Sequence, residues 1–360
     1  MKKIFLDDMI LTKALPTSAG SKMLSGYMST FDATVVEKLT ASGYEIAGKC
    51  AVGEFAIDVI GDDSTAKVIE SGEADAVVSF DVNGAPRRIA AQNGLVYVKP
   101  TYGTVSRFGT VAVACSGECV GVMASSVKNC NDTLKAIVGK DERDGTMHSN
   151  EVCASALASK KEIKKVAVIK MDTDCEAVDS AVAELKAAGI EVTEVNAGVI
   201  ALSNAAWNVL MCAELCNNLS RFDGIKYGYR SSNYKNLDEL YTNSRTEAFG
   251  YLVKTAILYG SDVLSAKNYD AKYDKAMRVR RVISEAFAEL FKEYDAVMLP
   301  VCSKKEYDGT EDAFVENKFT APASVTGLPA VVAGGVQLMG EAFTEGALLD
   351  IAAILTKEGK

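Results

Sequence analysis

The stretch between residues 160 and 200 limits the fold of this chain more than any other. KKVAVIK is a short β-branched run, CEAVDSAVAELKAAG carries apolar residues at helical spacing and ends at Gly189, and IEVTEV alternates. This order predicts a strand, a helix and a second strand. Strands joined by a crossover helix pair in parallel, so we expect an α/β fold whose sheet contains at least one parallel pair.

Two later segments extend this architecture. LSNAAWNVLMCAELCNNLSRF and AKYDKAMRVRRVISEAFAELFKEY have the spacing of long helices, and the second leads into DAVMLPV, a buried strand that ends at Pro300. The doublet in AGGVQLMG predicts a tight turn between two strands. No linker rich in Pro, Gly or Ser interrupts the chain, so residues 1–360 are expected to form a single domain.

Charge and cysteine content narrow the classes of partner. The net charge is −9, whereas nucleic acids and anionic membranes bind clusters of Lys and Arg, so small molecules or proteins are the expected partners. Asp7 and Asp8 interrupt any secretory apolar region near the N-terminus, and the sequence suggests no run of membrane-spanning length. Nine cysteines without a compact framework are typical of reduced thiols, so a cytoplasmic location is expected.

Common catalytic and cofactor motifs are missing. His148 is the only histidine and lies in the polar stretch GKDERDGTMHSN, which predicts a solvated loop rather than a Ser-His-Asp triad. The pairs Cys115/Cys119 and Cys212/Cys216 are spaced too widely for a zinc knuckle, and the second pair fits core packing on a helix. No phosphate-binding loop follows a strand. We therefore expect neither metal nor cofactor.

Long segments of the chain resemble one family. They are YMSTFDATVVEKLTASGYEIAGKCAVGEFAI, VKPTYGTVSRFGTVAV, NNLSRFDGIKYGYRS, EAFGYLVKTAILYGSDVLSAKNYDAKYDKAMRVR and FTAPASVTGLPAV followed by GVQLMGEAF. In this order they resemble the amidase signature family, and most of all its amidotransferase subunits. The resemblance covers nearly the whole chain. It implies a mixed twisted β-sheet covered by helices on both faces, without the family's N-terminal region and part of its active-site loops.

The resemblance also implies what the catalytic groups should be. The family uses a Ser nucleophile, a second Ser and a neutral Lys that draws a proton through the second Ser. Matching the nucleophile loop back from Lys99 places Ala85 at the nucleophile, within DVNGAPR. The second Ser falls on Gly61, after a connection about twenty residues shorter than the family's, and the Lys falls on Asp7. All three triad positions are therefore expected to lack their catalytic group.

Substrate-binding positions follow from the same resemblance. Arg87 and Tyr227 persist, and Asn317 stands where the family has a glutamine-binding Asp. Thr255 stands at the family's glutamine-binding Arg. With both the guanidinium and the carboxylate replaced, the charge-assisted bonds to the two ends of glutamine are expected to be lost. Arg87, Tyr227 and Asn317 are the substrate-binding residues that the resemblance leaves.

Three functions are compatible with these sequence features. The first is a catalytically inactive relative of an amidotransferase subunit, retained for binding, assembly or regulation with a protein partner or a second copy of itself. The second is an active amidase, or glutamine amidotransferase subunit, acting on C–N amide bonds with relocated machinery, for which Ser64, Ser79 and Cys115 are the candidate nucleophiles. The third is a module that binds a small amide or amino acid. Replacing a nucleophile requires a new base and new oxyanion donors in register, which favours the first.

Overall fold

The computed structural model describes residues 2–158, 161–171 and 175–358. Ten strands form one sheet in the order β2-β1-β3-β5-β4-β9-β10-β8-β6-β7. The strands are β1 (Lys3–Asp7), β2 (Glu45–Cys50), β3 (Ala76–Asp81), β4 (Val96–Lys99), β5 (Cys119–Ala124), β6 (Lys165–Lys170), β7 (Glu191–Asn196), β8 (Ala296–Pro300), β9 (Ala330–Ala333) and β10 (Val336–Met339).

Helices occupy most of the connections. They are α1 (Thr34–Ala41), α2 (Ser64–Glu70), α3 (Ala85–Gln92), α4 (Val127–Ile137), α5 (Asn150–Ala158), α6 (Glu176–Ala187), α7 (Ser203–Leu219), α8 (Leu237–Ala248), α9 (Tyr251–Leu264), α10 (Lys275–Leu290), α11 (Ala313–Thr326) and α12 (Glu345–Leu355). The mixed α/β class expected from the sequence is confirmed.

The predicted strand, helix and strand unit is present as β6, α6 and β7. The two strands pair in parallel, with Val168 opposite Glu194. The buried strand that was predicted after a long helix is β8, which follows α10 and pairs in parallel on the other side of β6. Parallel pairing also joins β1 to β2 and to β3, whereas the central strands β5, β4, β9 and β10 pair antiparallel.

The predicted glycine turn joins β9 to β10. Gly334 and Gly335 have φ angles of 58° and 81°, the left-handed conformation that a two-residue hairpin turn of this kind needs at both positions. β9 and β10 pair antiparallel on either side of the turn, with Ala333 opposite Val336. The prediction from the sequence is confirmed.

Helices cover both faces of the sheet. Successive residues of a strand point to opposite faces, and in the central strands both faces carry apolar side chains that need cover. Val77 and Met123 face α3, where Ile89 belongs to the same apolar cluster. Their neighbours Val78 and Val122 face the opposite side and cluster with residues of α4 and α12. The Asp7, Gly61 and Ala85 positions belong to the α3 side of this sheet, at one end of β1 and β3.

One expectation about apolar runs needs correction. The helical run Gly198–Leu219, which includes α7, has 22 residues and a most apolar window of mean hydropathy 1.5, enough by length and composition to cross a membrane. Half of that window is buried inside the protein. Trp207 and Leu210 are 0% exposed, and the helix packs against α9 and α11. Core packing accounts for its apolar composition.

Candidate functional site

Asp7, Gly61 and Ala85 line a single cavity. Asp7 is the last residue of β1, Ala85 is the first residue of α3, and Gly61 lies in the connection between β2 and α2. The cavity has a volume of about 20 Å³, which accommodates one water molecule and is far too small for an amino acid. The fold therefore brings together the three residues that the resemblance aligns with the family's catalytic groups.

Asp7 contributes a buried carboxyl group to the cavity. Its Oδ2 accepts a hydrogen bond of 2.8 Å from the backbone N–H of Phe80. Burial raises the pKa of Asp7 to about 7, and repulsion from Asp8 and Asp81 adds to the rise. The hydroxyl of Ser79 lowers this pKa, although no hydrogen bond of ordinary geometry reaches the Ser79 Oγ. The group is a carboxyl, neutral or negative, and cannot act as a neutral amine.

Lys49, on the neighbouring strand β2, is paired with a carboxylate other than that of Asp7. Lys49 Nζ lies 3.2 Å from Oδ1 of Asp8, and Asp8 also accepts a hydrogen bond from the backbone N–H of Ser18. Burial lowers the pKa of Lys49, while Asp8 opposes that change. Lys49 does not line the cavity. It holds the segment after β1 in place.

The nucleophile loop joins β3 to α3 and is fastened by Asp81. The Asp81 carboxylate accepts a hydrogen bond of 3.0 Å from the N–H of Gly84, whose φ of 91° lies in the left-handed region. This turn places Ala85 at the cavity wall with 8% of its surface exposed. Pro86 follows it and also lines the cavity. The position that the resemblance aligns with the nucleophile thus carries a methyl group, and the residue after it has no backbone N–H to donate.

Gly61 accepts no side chain in this conformation. Its φ is 67°, and a Cβ atom built there would lie within 3.0 Å of the backbone nitrogen of Gly53. Both the left-handed backbone and the close approach exclude a serine. A serine at position 61 would need the backbone of Val52 and Gly53 to shift away from it.

Arg87 is enclosed by protein groups. It forms a two-pronged ion pair with Asp81, with Nε 2.8 Å from Oδ2 and Nη2 3.1 Å from Oδ1. Its other nitrogen donates to the backbone oxygen of Thr320, and Nη2 also donates to Ser324. The side chain is fully buried and does not line the cavity. In this structure Arg87 anchors the nucleophile loop.

The other two predicted binding residues also lie outside the cavity. Tyr227 is 39% exposed and packs edge to face on Phe222. Asn317 is 0% exposed and donates to Oδ1 of Asn208 at 2.9 Å. Its own Oδ1 has no partner among the described residues. The structure does not bring Arg87, Tyr227 and Asn317 together around the cavity.

The three alternative nucleophiles differ in their surroundings. Ser79 lines the cavity, but it lies within β3 and is 1% exposed. Ser64 begins α2, and its Oγ accepts a hydrogen bond from the N–H of Ala51 at 3.0 Å. Burial raises the pKa of the Cys115 thiol, which disfavours the reactive thiolate. Only Ser79 shares the cavity with Asp7.

Histidine and cysteine occupy the places that the sequence suggested. His148 is exposed in a loop and packs edge to face on Phe343. All nine cysteines are free thiols, and Cys212 is buried in the core as expected. Among the described residues, no group of three or more His, Cys, Asp and Glu side chains is arranged to hold a metal ion.

Two residues beside the cavity had no role in the sequence interpretation. The side-chain amide of Asn83 donates to the backbone oxygens of Ile57 and Asp58, and Nε of Arg88 donates to that of Val59 at 2.6 Å. Both fasten the short connection that contains Gly61. The only sequence signal was the second arginine in APRR.

A wider groove lies elsewhere on the sheet. It has a volume of about 1260 Å³ and opens at the carboxyl ends of β6 and β8, beside the first turn of α6. Ligands of open α/β sheets commonly bind at such ends. Its lining carries charges of both signs, including Lys170, Lys305, Glu176 and Asp179.

Comparison with known protein families gives the class to which this fold belongs. The family model described as Amidase matches residues 3–70 and 65–349, so the chain belongs to the amidase family. The two matched parts meet at 65–70, next to the connection predicted to be short.

Within this family the chain is similar to the A subunit of glutamyl-tRNA(Gln) amidotransferase. The protein of that name from Lacticaseibacillus casei is 35% identical over 396 aligned positions, covering 97% of this chain and 82% of the relative. The one from Clostridium botulinum is 34% identical, covering 96% and 81%. The crystal structure of the Thermotoga maritima protein superposes with a TM-score of 0.78 at 29% identity, covering 99% of this chain and 83% of that one. An alignment longer than this 360-residue chain means that the relative carries segments absent here.

Proposed function

We propose that this chain is a catalytically inactive member of the amidase family, retained for binding, assembly or regulation. The observation that carries the proposal is the content of the small cavity. Asp7, Gly61 and Ala85 meet there, and they supply a carboxyl group, a bare backbone and a methyl group. None of these attacks an amide or relays a proton as the family's Ser, Ser and Lys do.

Space and backbone geometry support the same proposal. A cavity of about 20 Å³ holds no amide substrate. The packing of Gly61 on Gly53 excludes a serine there, and Pro86 lacks an N–H group that an oxyanion hole could use. Loss of a single side chain would leave a site that one substitution restores, whereas here three positions lack the catalytic group and the backbone at Gly61 leaves no room for a side chain.

A protein partner is the expected ligand class. Proteins similar to this chain are named as subunits of an amidotransferase, so a partner of the amidotransferase type, or a second copy of this chain, fits a scaffold without its own chemistry. The net charge of −9 disfavours direct contact with nucleic acid or an anionic membrane. We infer that the chain acts in the cytoplasm. Size-exclusion chromatography coupled to light scattering distinguishes a dimer from a monomer.

Hydrolysis assays test the absence of catalysis. Purified protein is incubated with glutamine and with simple aliphatic and aromatic amides, and ammonia release is compared with that of Ser79→Ala. We expect both proteins to match the buffer rate. Activity of the unsubstituted protein that disappears in Ser79→Ala would instead establish the second candidate, an amidase with a relocated nucleophile, which the position of Ser79 beside Asp7 favours over Ser64 and Cys115.

A small amide or amino acid is the remaining ligand class. The groove beside α6 is large enough for such a molecule, and its charges of both signs suit the two ends of an amino acid. A thermal-shift screen of amino acids and their amides tests this, because a ligand that binds only the folded state raises the melting temperature. No shift with any candidate at millimolar concentration would remove this class.

A further inference from the structure

The short connection between β2 and α2 closes the cavity. Residues 51–61 contribute seven of the fifteen residues that line it. We call residues 57–61 the strap. Asp58, Ile60 and Gly61 of the strap line the cavity together with Asp7 and Ala85, and Gly61 and the two residues that follow the strap are exposed.

Side chains from the nucleophile loop hold the strap down. Asn83 donates to the backbone oxygens of Ile57 and Asp58, and Arg88 donates to that of Val59. Asn83 and Arg88 are 1% and 0% exposed. The strap is therefore latched at three consecutive carbonyl groups.

The Arg88 side of the latch is a buried charge without a counter-ion. The described residues place no carboxylate within 4.0 Å of its guanidinium, whose other hydrogen bonds go to Oγ1 of Thr320 and Oδ1 of Asn83. Burial lowers the pKa of Arg88. A buried charge that only dipoles compensate is unfavourable, so the latch is weaker than an ion pair would be.

Unusual backbone conformations border the strap on both sides. Phe55 and Ala56 have φ angles of 52° and 55°, in the left-handed region that non-glycine residues seldom adopt. Gly61 ends the strap with a φ of 67°. Residues in such conformations persist where surrounding contacts impose them, and they cluster in segments that switch between states.

The charged neighbours of Asp7 on its own sheet are already compensated. Asp8 is paired with Lys49, and Asp81 is paired with Arg87. Each of these two carboxylates therefore has a cation beside it, and both ion pairs contribute to the electrostatic field at Asp7.

Three further titratable groups face the cavity or Asp7. Burial raises the pKa of Cys50 to about 12 and that of Tyr97 well above its usual range, so both stay neutral near pH 7. Asp58, on the strap itself, also lines the cavity, and burial raises its pKa. Asp7 and Asp58 are therefore the groups whose ionisation the closed strap opposes.

We propose that the strap is a pH-gated lid, closed over a protonated Asp7 and released when Asp7 ionises. An ionised carboxylate is unfavourable in a cavity of about 20 Å³, which has room for no more than one water molecule. Moving the strap away from its latch admits water to the carboxylate and leaves the sheet intact. This goes beyond the absence of catalysis and holds whether or not the protein hydrolyses amides.

The direction of the pH effect follows from proton linkage. In the closed state the pKa of Asp7 is about 7, whereas in an open, hydrated state it returns toward its ordinary value of 3.8. Opening therefore releases a proton between these two values, and each pH unit in that range favours opening by about tenfold. Above pH 7 both states are ionised and the opening constant levels off.

Hydrogen exchange measured by mass spectrometry tests the lid in the full chain. The readout is the protection factor of peptides covering residues 51–63, which corrects for the intrinsic pH dependence of exchange. Between about pH 5 and about pH 7 we expect protection in the unsubstituted protein to fall by tenfold to a hundredfold. Peptides from α7 should keep theirs, since the core stays closed.

Single substitutions distinguish opening of the strap from a general loss of protection against hydrogen exchange. Asp7→Asn should flatten the pH dependence in residues 51–63, and Asp58→Asn should leave most of it. Asp75→Asn is the matched control, because the Asp75 carboxylate accepts a hydrogen bond from the N–H of Lys3 at the opposite end of β1. This variant should show the same pH dependence as the unsubstituted protein. Arg88→Gln should lower protection of the strap at both pH values.

Two results would overturn the proposal. One is a protection factor for residues 51–63 that does not change between about pH 5 and about pH 7. The other is the same pH dependence in Asp7→Asn as in the unsubstituted protein. If Arg88→Gln fails to fold, the Asp7→Asn comparison still decides, since an amide keeps the size of the carboxyl group and the bond from Phe80.

Discussion

Gly61 packs directly on the backbone of Gly53, so that a Cβ atom at position 61 would lie within 3.0 Å of the Gly53 nitrogen. Gly61 aligns with the second catalytic serine in the resemblance to the amidase family. The contact means that the connection in this chain is packed around a residue without a side chain.

Gly61→Ser is expected to destabilise the protein more than a glycine substitution of the same backbone type elsewhere. Gly72→Ser is the matched control, because Gly72 has a φ of 76° and nothing within 4 Å of its would-be Cβ. The extra loss at position 61 should be about 1–3 kcal/mol, the range for forced overpacking. Urea unfolding of both variants measures it. Equal losses would show that the strap yields without strain.

Ala85→Ser alone should not create an amidase. The new hydroxyl would enter the cavity, but the acidic and basic side chains that line it are only the carboxyls of Asp7 and Asp58, and Pro86 offers no N–H donor. A nucleophile without a base and an oxyanion hole gains little over water. Ammonia release from glutamine should stay at the buffer rate. A rate above that of the unsubstituted protein would mean that the scaffold still supports catalysis.

Arg87→Ala should unfold the nucleophile loop rather than affect a ligand. The Arg87 and Asp81 side chains are both 0% exposed, with Nε and Oδ2 2.8 Å apart. Removing one partner of a buried ion pair leaves the other charge uncompensated, which lowers the free energy of unfolding by about 3–5 kcal/mol. Chemical denaturation measures this.

The surface pair of Lys67 and Asp63 supplies the control for that experiment, because it is an exposed helix pair one turn apart. Lys67→Ala should leave the denaturation midpoint nearly unchanged. An Arg87→Ala protein as stable as Lys67→Ala would contradict an anchoring role and return Arg87 to the list of binding residues.

Asp7→Asn should make the global stability less dependent on pH. The folded state keeps the Asp7 proton up to a pKa of about 7, whereas the unfolded chain releases it near 3.8. Between these values the folded state binds more protons, so the free energy of unfolding falls with rising pH by about 1.4 kcal/mol per unit from this group. Above pH 7 no further change arises from Asp7.

The measurement is the difference in free energy of unfolding between the unsubstituted protein and Asp7→Asn across this range. The difference removes slopes contributed by other groups. Asp7→Asn should gain relative stability as pH rises toward neutrality. A difference that stays constant with pH would show that Asp7 titrates normally in the folded state.

Local sequence patterns were enough to predict several of the helices, strands and turns. The β6, α6 and β7 unit followed from a β-branched run, a helical spacing and an alternating run, and Gly334 and Gly335 predicted a hairpin turn that the structure confirms. These features depend on interactions between residues close in the chain. The apolar run of α7 was different, since its burial depends on helices that come later in the chain.

The candidate site shows more clearly what could not be predicted from the sequence. A motif alignment was enough to select Asp7, Gly61 and Ala85, which come from three separate elements of the chain. It gave Arg87, Tyr227 and Asn317 as binding residues, yet Arg87 is enclosed by Asp81 and none of the three reaches the cavity. The type of a residue does not show which neighbouring groups accept its hydrogen bonds in the folded protein.

By itself, the sequence determined the class of fold and the absence of a Ser, Ser and Lys set at the aligned positions, because both depend on residue identity and order. Only the tertiary structure decided that these positions meet in a cavity of about 20 Å³, that Gly61 is packed too tightly for a side chain, and that Asn83 and Arg88 latch the strap. Those features arise from contacts between segments that are distant in the chain. They depend on the exact separations of the contacting atoms, which the residue types alone do not give.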